Sequence, residues 1–218
     1  AKADPPDLSP PPAPAPAPLA PKQPIIALTF DIEHPGTPDA ALILDALKAS
    51  GAHATFFITG IYAKYDPTLV KRIADEGHDI GNHTMNHRNL LTISKSRVVS
   101  EIQLGETAIE NTGVTSRYFR PPYGSCNAFV RQAAEDQGEP LVKWTLDSRD
   151  WAHGDPTWLT DRLAKRARNA DIVLFHDKKI TAEAMPEILK GLQDRGFTCT
   201  TLTQLFAANL PAPGNLDL

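Results

Sequence analysis

The stretch IIALTFDIEHPGTPDAALILDALKASGAHATFFITG, residues 25–60, contains the pattern that decides the fold. It opens with a short apolar run at 25–31, continues with an amphipathic segment at 38–50 and closes with a second apolar run at 53–60. Short apolar runs predict strands buried on both faces, whereas the middle segment has the spacing of a helix with one apolar face. The order strand, helix, strand predicts two parallel strands joined by a crossover helix.

The same alternation continues along the rest of the chain. Five further apolar runs predict strands at 78–83, 117–122, 140–147, 171–177 and 197–202. Amphipathic segments between them predict helices at 66–77, 94–113, 127–138, 156–169 and 182–196. Seven strands alternating with helices predict an α/β fold with a parallel sheet, either a closed barrel or an open sheet covered by helices on both faces.

Composition and charge exclude several classes of function. The chain has 218 residues, of which 41% are hydrophobic, and this predicts one folded domain. The net charge of −4 provides no basic surface for nucleic acid, and no stretch approaches the roughly 18 apolar residues of a membrane span. No GxGxxG or GxxxxGK[ST] motif follows the first strand, which argues against a nucleotide role. We expect a monomer with a small or uncharged partner.

The first 24 residues differ from the rest because they contain ten of the twenty prolines. Alternating proline and alanine favours extended polyproline II, so residues 1–24 are predicted to form a disordered spacer. The alternative is that they are a ligand for a proline-binding module. Residues 25–218 are the predicted folded domain. A chain that starts at Ala1 and continues with a spacer is typical of a processed exported protein, so we expect a periplasmic, cell-wall-associated or secreted location.

Two cysteines, Cys126 and Cys199, leave the redox state of the protein open. In an oxidising compartment they can form one disulfide bond, provided that the fold brings them together. Two separate free thiols are equally compatible with the sequence.

Titratable and polar side chains follow five of the predicted strands. They are Asp31 and Glu33, His83 and His87, Arg120 and Tyr123, Asp147 and Asp150, and His176 and Asp177. Because the carboxyl ends of parallel strands meet at one rim, we expect these groups to lie close together. His83 and His87 are four residues apart, so they can share one face of a helical turn, which suits a divalent metal.

Five short motifs at these strand ends resemble those of the polysaccharide deacetylase family, also called the NodB-homology domain or carbohydrate esterase family four. They are LTFD (28–31), GNHTMNH (81–87), FRPPYG (119–124), DSRDW (147–151) and IVLFHD (172–177). The resemblance covers about residues 25 to 206. It implies a distorted (β/α) barrel of about seven strands and a metal-dependent hydrolase that removes acetyl groups from N-acetylated sugars, or sometimes O-acetyl groups from xylan.

The resemblance implies roles at the metal and at the attacking water. His83 and His87 correspond to the family's metal-binding histidines, and the metal is usually zinc. A bound metal polarises the acetyl carbonyl and lowers the pKa of water toward neutrality. Asp31 corresponds to the general base, and Arg120 to the residue that holds it by an ion pair.

The resemblance also implies roles around the acetyl group and the departing nitrogen. His176 corresponds to the general acid, and Asp150 to the carboxylate that raises the pKa of this histidine. Tyr123 corresponds to the residue whose backbone N–H helps to stabilise the oxyanion. Trp151 and Leu174 are expected to line a small pocket for the acetyl methyl group, although both side chains also suit an ordinary core.

The first motif departs from the family pattern. The family commonly has T-F-D-D-G-P, where the second Asp completes the metal site, and this chain has Ile32 at that position. Pro35 follows Glu33 by two residues, as the family's proline follows its second Asp, so Ile32 looks like a one-residue insertion. Residues i and i+2 of an extended chain face the same side, so Asp31 and Glu33 should face the site together, and Glu33 is the predicted third metal ligand beside His83 and His87. His34 is the rival ligand.

These features predict an exported N-deacetylase of an N-acetylglucosamine polymer, with peptidoglycan as the first substrate and chitin-type oligosaccharides as the second. An acetylxylan esterase shares the chemistry and stays open. Family members with an altered first motif act on cyclic amides such as allantoin, but they are usually cytosolic. An inactive carbohydrate-binding protein on the same scaffold is the alternative from another class, although binding alone has no use for a general acid and a general base.

Overall fold

The computed structural model describes residues 23–33, 35–36 and 39–208 of the chain. All but the last two residues of the predicted spacer at 1–24 lie outside this range, so the spacer stays a prediction. His34, the rival metal ligand, also lies outside it. Within the described residues, no helix combines the length and the apolar character that crossing a bilayer requires.

The described part of the chain contains six strands and eight α-helices, with one or two helices between most consecutive strands. The strands are β1 (Ile25–Ile32), β2 (Thr55–Ile58), β3 (Asp79–Asn82), β4 (Leu146–Asp147), β5 (Ile172–His176) and β6 (Thr198–Thr200). The helices are α1 (Asp39–Ser50), α2 (Gly60–Tyr65), α3 (Pro67–Asp75), α4 (Lys95–Glu110), α5 (Ala128–Glu135), α6 (Pro156–Arg166), α7 (Lys179–Asp194) and α8 (Leu202–Ala207). The sequence does not predict α2 and α8, because six residues are too few to show a helical period.

All strand pairs are parallel, which confirms the predicted α/β class. The strands follow the order β3-β2-β1-β5-β4, and β6 pairs with the first residues of β1. β1 is therefore central, and all eight of its residues are buried. Its register places Asp31 between Phe57 of β2 and His176 of β5, so two of the predicted site residues are neighbours across the sheet.

The predicted strand at 117–122 is present only as isolated bridges. Phe119 pairs in parallel with Asn82 on one side and with Leu141 on the other, and the predicted strand at 140–147 is regular only at β4. Prolines at 121, 122 and 140 lack the N–H that a continuous ladder requires. The described sheet therefore has six regular strands instead of the predicted seven. Among the described residues, the side of the sheet between β3 and β4 contains only these bridges at Phe119.

Alternate residues of β1 face two different environments. Ile26, Leu28, Phe30 and Ile32 belong to the main core, where the Phe30 ring stacks on two other phenylalanine rings at centroid distances of 5.0 and 5.3 Å. Ile25 and Ala27 face a second core, and Thr29 and Asp31 continue that same side of the strand. The period of two thus directs Asp31 toward the site and Ile32 into the main core.

Both cysteines are free thiols, which answers the question that the sequence leaves open. Cys199 is buried in the main core, whereas Cys126 is partly exposed and packs against another cluster. Burial raises the pKa of the Cys199 thiol to about 12, so this thiol is unreactive near neutral pH.

A buried histidine just before β3, His78, makes the stability of the protein depend on pH. The Nδ1 atom of His78 accepts a hydrogen bond from the Ala54 backbone N–H at 3.1 Å, so the side chain is neutral in the folded protein. Burial, assisted by the nearby His53, lowers the pKa of His78 from 6.5 to about 4. Between these pH values the unfolded chain binds more protons, so the free energy of unfolding rises with pH across this window.

We expect His78→Asn to flatten this part of the pH dependence. Asparagine keeps an acceptor for Ala54 but does not titrate, so a contribution of up to about 3 kcal/mol between pH 7 and pH 4 should disappear. Urea unfolding of both proteins at several pH values measures the difference. Parallel curves for the two proteins would show that His78 does not carry this dependence.

Candidate active site

The predicted site residues meet where β1, β3 and β5 end. The base candidate Asp31 is 2.9 Å from Arg120, and its second oxygen is 3.5 Å from Nε2 of His83. Glu33 lies 3.2 Å from Nε2 of His87 and 3.7 Å from Nε2 of His176. Strand ends on both sides of β1 thus bring carboxylates and imidazoles together, as the βα pattern predicts.

Arg120 is fully buried and holds Asp31 in one orientation. Its Nη1 donates to Oδ1 of Asp31 at 2.9 Å and to the Thr29 hydroxyl at 2.8 Å, and its Nη2 donates to the Lys143 carbonyl at 2.8 Å. The guanidinium also lies 4.0 Å from the centre of the Phe57 ring. A buried charge with this many partners is compensated, and removing either member of such a pair costs about 3–5 kcal/mol. The predicted ion pair is therefore present.

Glu33, His83 and His87 form a cluster with the donor set of a metal site. One possible ligand atom from each residue lies within 4.8 Å of the others. Nδ1 of His83 lies 2.7 Å from the Arg120 carbonyl, which can only accept, so Nδ1 carries the proton and Nε2 keeps its lone pair. That buried Nε2 has no hydrogen-bond partner among the described residues. Two imidazoles and one carboxylate fit a catalytic zinc site, which keeps a position open.

The histidine pair lies on a loop and not on the helical turn that its spacing suggests. β3 ends at Asn82, and both Thr84, with φ of 67°, and His87, with φ of 54°, adopt the left-handed conformation. The loop turns because the Thr84 N–H donates to the Asn82 side chain at 2.9 Å and the His87 N–H donates to the Thr84 hydroxyl at 3.1 Å. The two imidazole rings end with their centroids 4.9 Å apart.

Neighbouring strand ends hold the backbone of Glu33. The Thr59 hydroxyl, after β2, donates to the Glu33 carbonyl at 2.9 Å, and the Asp177 side chain, after β5, accepts a backbone hydrogen bond from Glu33. Burial alone would raise the pKa of Glu33, but the hydrogen bond and charge of His87 lower it to about 2. The carboxylate is thus ionised, and, like the Asp31 carboxylate, it lies against a histidine of the loop after β3.

Asp150 holds His176 in place and favours its protonated form. Its Nδ1 donates to Oδ1 of Asp150 at 2.7 Å, while Oδ2 accepts from the His176 backbone N–H at 2.6 Å and from the Thr181 hydroxyl at 2.7 Å. Burial alone would lower the pKa of His176, but the hydrogen bond and charge of Asp150 raise it to about 9. The predicted pairing is present, and it directs a protonated Nε2 toward Glu33.

The three residues predicted to contact substrate occupy different environments. Tyr123 lies in a 3₁₀ turn with φ of 61°, and its exposed ring is 4.8 Å from the ring of His87. Trp151 is 55% exposed, and its indole N–H donates to Asp147 at 3.4 Å. Leu174 is buried within β5. The described contacts place Tyr123 against the histidine cluster, Trp151 at the rim and Leu174 in the sheet.

The sequence analysis does not predict two residues that hold site residues in place, Thr181 and Glu101. Thr181 fixes Asp150 from the first turn of α7, where nothing in the local pattern distinguishes it. Glu101 of α4 is buried and accepts two hydrogen bonds from Asn86, at 2.9 and 3.0 Å, and so fixes the loop between the histidines. A signal for Glu101 exists, because it shares the helix face of the apolar residues Val98 and Ile102.

Comparison with known proteins identifies the family to which the chain belongs. A sequence model of the polysaccharide deacetylase family matches residues 19–142. The peptidoglycan-N-acetylglucosamine deacetylase of Bacillus cereus is 36% identical over 187 residues, which cover 83% of this chain and 87% of that protein. The peptidoglycan-N-acetylglucosamine deacetylase PgdA of Listeria monocytogenes is 35% identical over 85% of this chain. The matched region spans only 39% of the length of PgdA.

Solved structures share the fold. The peptidoglycan deacetylase PdaC from Bacillus subtilis superposes with a TM-score of 0.81 at 32% identity, over 87% of this chain and 93% of that chain. BA3943 from Bacillus anthracis, a pseudoenzyme of carbohydrate esterase family 4, superposes with a TM-score of 0.79 at 30% identity, over 88% and 69% of the two chains. Together with the family match, these likenesses show that the chain belongs to the polysaccharide deacetylase family.

Proposed function

We propose that this chain is a metal-dependent hydrolase that removes N-acetyl groups from N-acetylglucosamine-containing polysaccharide, with peptidoglycan as its substrate. The observation that carries the proposal is that an ion-paired carboxylate, Asp31, and an imidazole hydrogen-bonded to a carboxylate, His176, lie beside a cluster with the donor set of a metal site. Amide hydrolysis needs both, since one group takes a proton from water and the other gives a proton to the amine. Relatives named as peptidoglycan deacetylases support the choice of substrate.

The cluster of Glu33, His83 and His87 is the proposed metal site, and Zn²⁺ is the ion that its two imidazoles and one carboxylate suit. A bound Zn²⁺ would supply a Lewis acid for the acetyl carbonyl and would lower the pKa of the attacking water. Asp31, which Arg120 keeps oriented, takes a proton from the attacking water while the oxygen of that water bonds to the carbonyl carbon.

Completion of the reaction requires protonation of the sugar nitrogen. His176 donates its Nε2 proton to this nitrogen as the C–N bond breaks, so that acetate and a free amine are released, and Asp150 stabilises the imidazolium beforehand. The backbone N–H of Tyr123 is the proposed donor to the oxyanion, and Trp151 and Leu174 are the proposed walls of the acetyl site.

The remaining expectations concern the setting of the enzyme. The proposed location is outside the cytoplasm, in the periplasm, at the cell wall or secreted, because peptidoglycan lies there and residues 1–24 have the composition of a spacer. A polysaccharide is the proposed partner, and the protein is proposed to act as a monomer that binds no nucleic acid.

A non-catalytic carbohydrate-binding protein is the second candidate. It is favoured by Ile32, which stands where the family commonly has a metal-binding Asp, and by the likeness to the pseudoenzyme BA3943. The hydrogen-bonded His176–Asp150 pair favours the enzyme, because recognition of a neutral sugar does not require a protonated imidazole.

Acetate release from three polymers separates these functions. The protein, loaded with Zn²⁺ or stripped by a chelator, is incubated with N-acetylated peptidoglycan, chitooligosaccharides and acetylxylan. We expect the highest rate with peptidoglycan, a loss of rate on stripping and recovery when Zn²⁺ is added. Binding without acetate release from any polymer would favour the second candidate, and release from acetylxylan alone would identify an esterase.

A further inference from the structure

We propose that Glu139 is a positioning residue for the metal-binding loop, residues 82–87, and that it acts through the side chain of Asn82. The inference rests on the metal site proposed above, because its consequence is a change in metal affinity. Glu139 follows α5 and is far from the loop in sequence.

Glu139 is a buried carboxyl group with neutral hydrogen-bond partners. Only 1% of the residue is exposed, its Oε2 accepts from the Asn82 side-chain amide at 2.8 Å, and its Oε1 accepts from the Ser116 hydroxyl. Burial raises the pKa of Glu139 to about 7 although both donors act to lower it. Burying a carboxyl group here is unfavourable, so an apolar residue would suit a purely structural position better.

The Asn82 amide connects Glu139 to the loop. Its two N–H groups donate to Glu139 and to the Ile102 carbonyl, at 2.8 and 2.9 Å. Its oxygen is therefore directed at the backbone N–H of Thr84, which donates to it at 2.9 Å. Space around this amide is tight, because a Cβ atom added to Gly105 would lie 2.4 Å from the Asn82 oxygen. The orientation of this amide thus decides whether Thr84 has its acceptor.

Thr84 and His87 need such support because of their backbone conformations. Both have positive φ, which costs about 1–3 kcal/mol for a residue with a side chain and is least favourable for a β-branched one. The Thr84 hydroxyl then accepts from the His87 N–H at 3.1 Å. A continuous series of hydrogen bonds therefore runs from Glu139 through Asn82 and Thr84 to the backbone of a proposed metal ligand.

Zn²⁺ affinity, measured on folded protein by competition with a chromophoric chelator, tests the proposal. We expect Glu139→Leu to weaken Zn²⁺ binding by about 10–100-fold, the range for groups that orient metal ligands. Glu139→Gln keeps an acceptor for Asn82 and should bind Zn²⁺ nearly as tightly as the wild type. Leu163→Ala, in the core face of α6, is the destabilised control and should leave the affinity unchanged.

Wild-type affinity in folded Glu139→Leu would overturn the positioning role and leave the proposed function intact. An equal loss in Leu163→Ala would also overturn it, because the effect would then follow from stability alone. If Glu139→Leu does not fold, Asn82→Ala replaces it, since this variant removes the amide through which Glu139 acts. Wild-type Zn²⁺ affinity in Asn82→Ala would likewise contradict the positioning role. Absence of Zn²⁺ binding by the wild type would overturn the metal site and this proposal together.

Discussion

Replacing Glu33 with glutamine should release the metal and abolish hydrolysis. The substitution keeps the shape of the side chain but removes the negative charge that lies 3.2 Å from Nε2 of His87. Only the two imidazoles of the cluster then remain as ligands, so we expect metal affinity to fall by more than the roughly 100-fold seen when only an orienting group is lost. Metal analysis after dialysis, together with acetate release at saturating substrate, measures both effects.

The matched control for this prediction is His34→Ala, which tests the rival ligand. Neighbouring residues of an extended chain face opposite sides, so the sequence favours Glu33 over His34 as the ligand, and we expect removal of the His34 side chain to leave metal content unchanged. A metal content equal to that of the wild type in Glu33→Gln, together with a loss of metal in His34→Ala, would contradict the assignment of Glu33 as a ligand.

Replacing His176 with alanine should lower kcat by about 10²–10⁴ while metal content is retained. An amine leaves only when its nitrogen is protonated, and His176 holds the proton that Asp150 stabilises. Its Nε2 lies 3.7 Å from Glu33, outside the three-residue cluster, so its loss should not empty the metal site. Steady-state kinetics with the metal-loaded variant, combined with metal analysis, measures both quantities.

Asp150→Asn is a milder variant of the same pair, for comparison with His176→Ala. Asparagine preserves the shape of the partner but removes the charge that favours the imidazolium, so kcat should fall less than in His176→Ala. Metal lost along with activity in His176→Ala would show that His176 is a ligand, and the assignment of the acid would then be wrong.

The sequence predicts the centre of the site because β1 is regular. Its period of two separates Ile32 from Asp31, and the parallel register then places His176 beside Asp31. The ion pair with Arg120 follows from the family motifs and is present in the structure. A buried strand with a polar end therefore contains enough local information to locate these residues at one rim.

Other features depend on contacts that local patterns do not contain. The spacing of His83 and His87 suggests a helical turn, but hydrogen bonds within the loop hold Thr84 and His87 in left-handed conformations. Glu139 meets Asn82 across 57 residues of sequence, and no periodicity encodes that meeting. The predicted strand at 117–122 fails for a local reason, since its prolines interrupt the ladder.

Titration of metal-free protein with Zn²⁺, with bound metal and acetate release from N-acetylated peptidoglycan followed in the same samples, tests the central claim most directly. We predict that activity rises in proportion to bound Zn²⁺ and reaches its limit at one ion per chain, and that Glu33→Gln shows neither. A chain that binds one Zn²⁺ and still releases no acetate would contradict the account, because the cluster would then hold metal without catalysing hydrolysis.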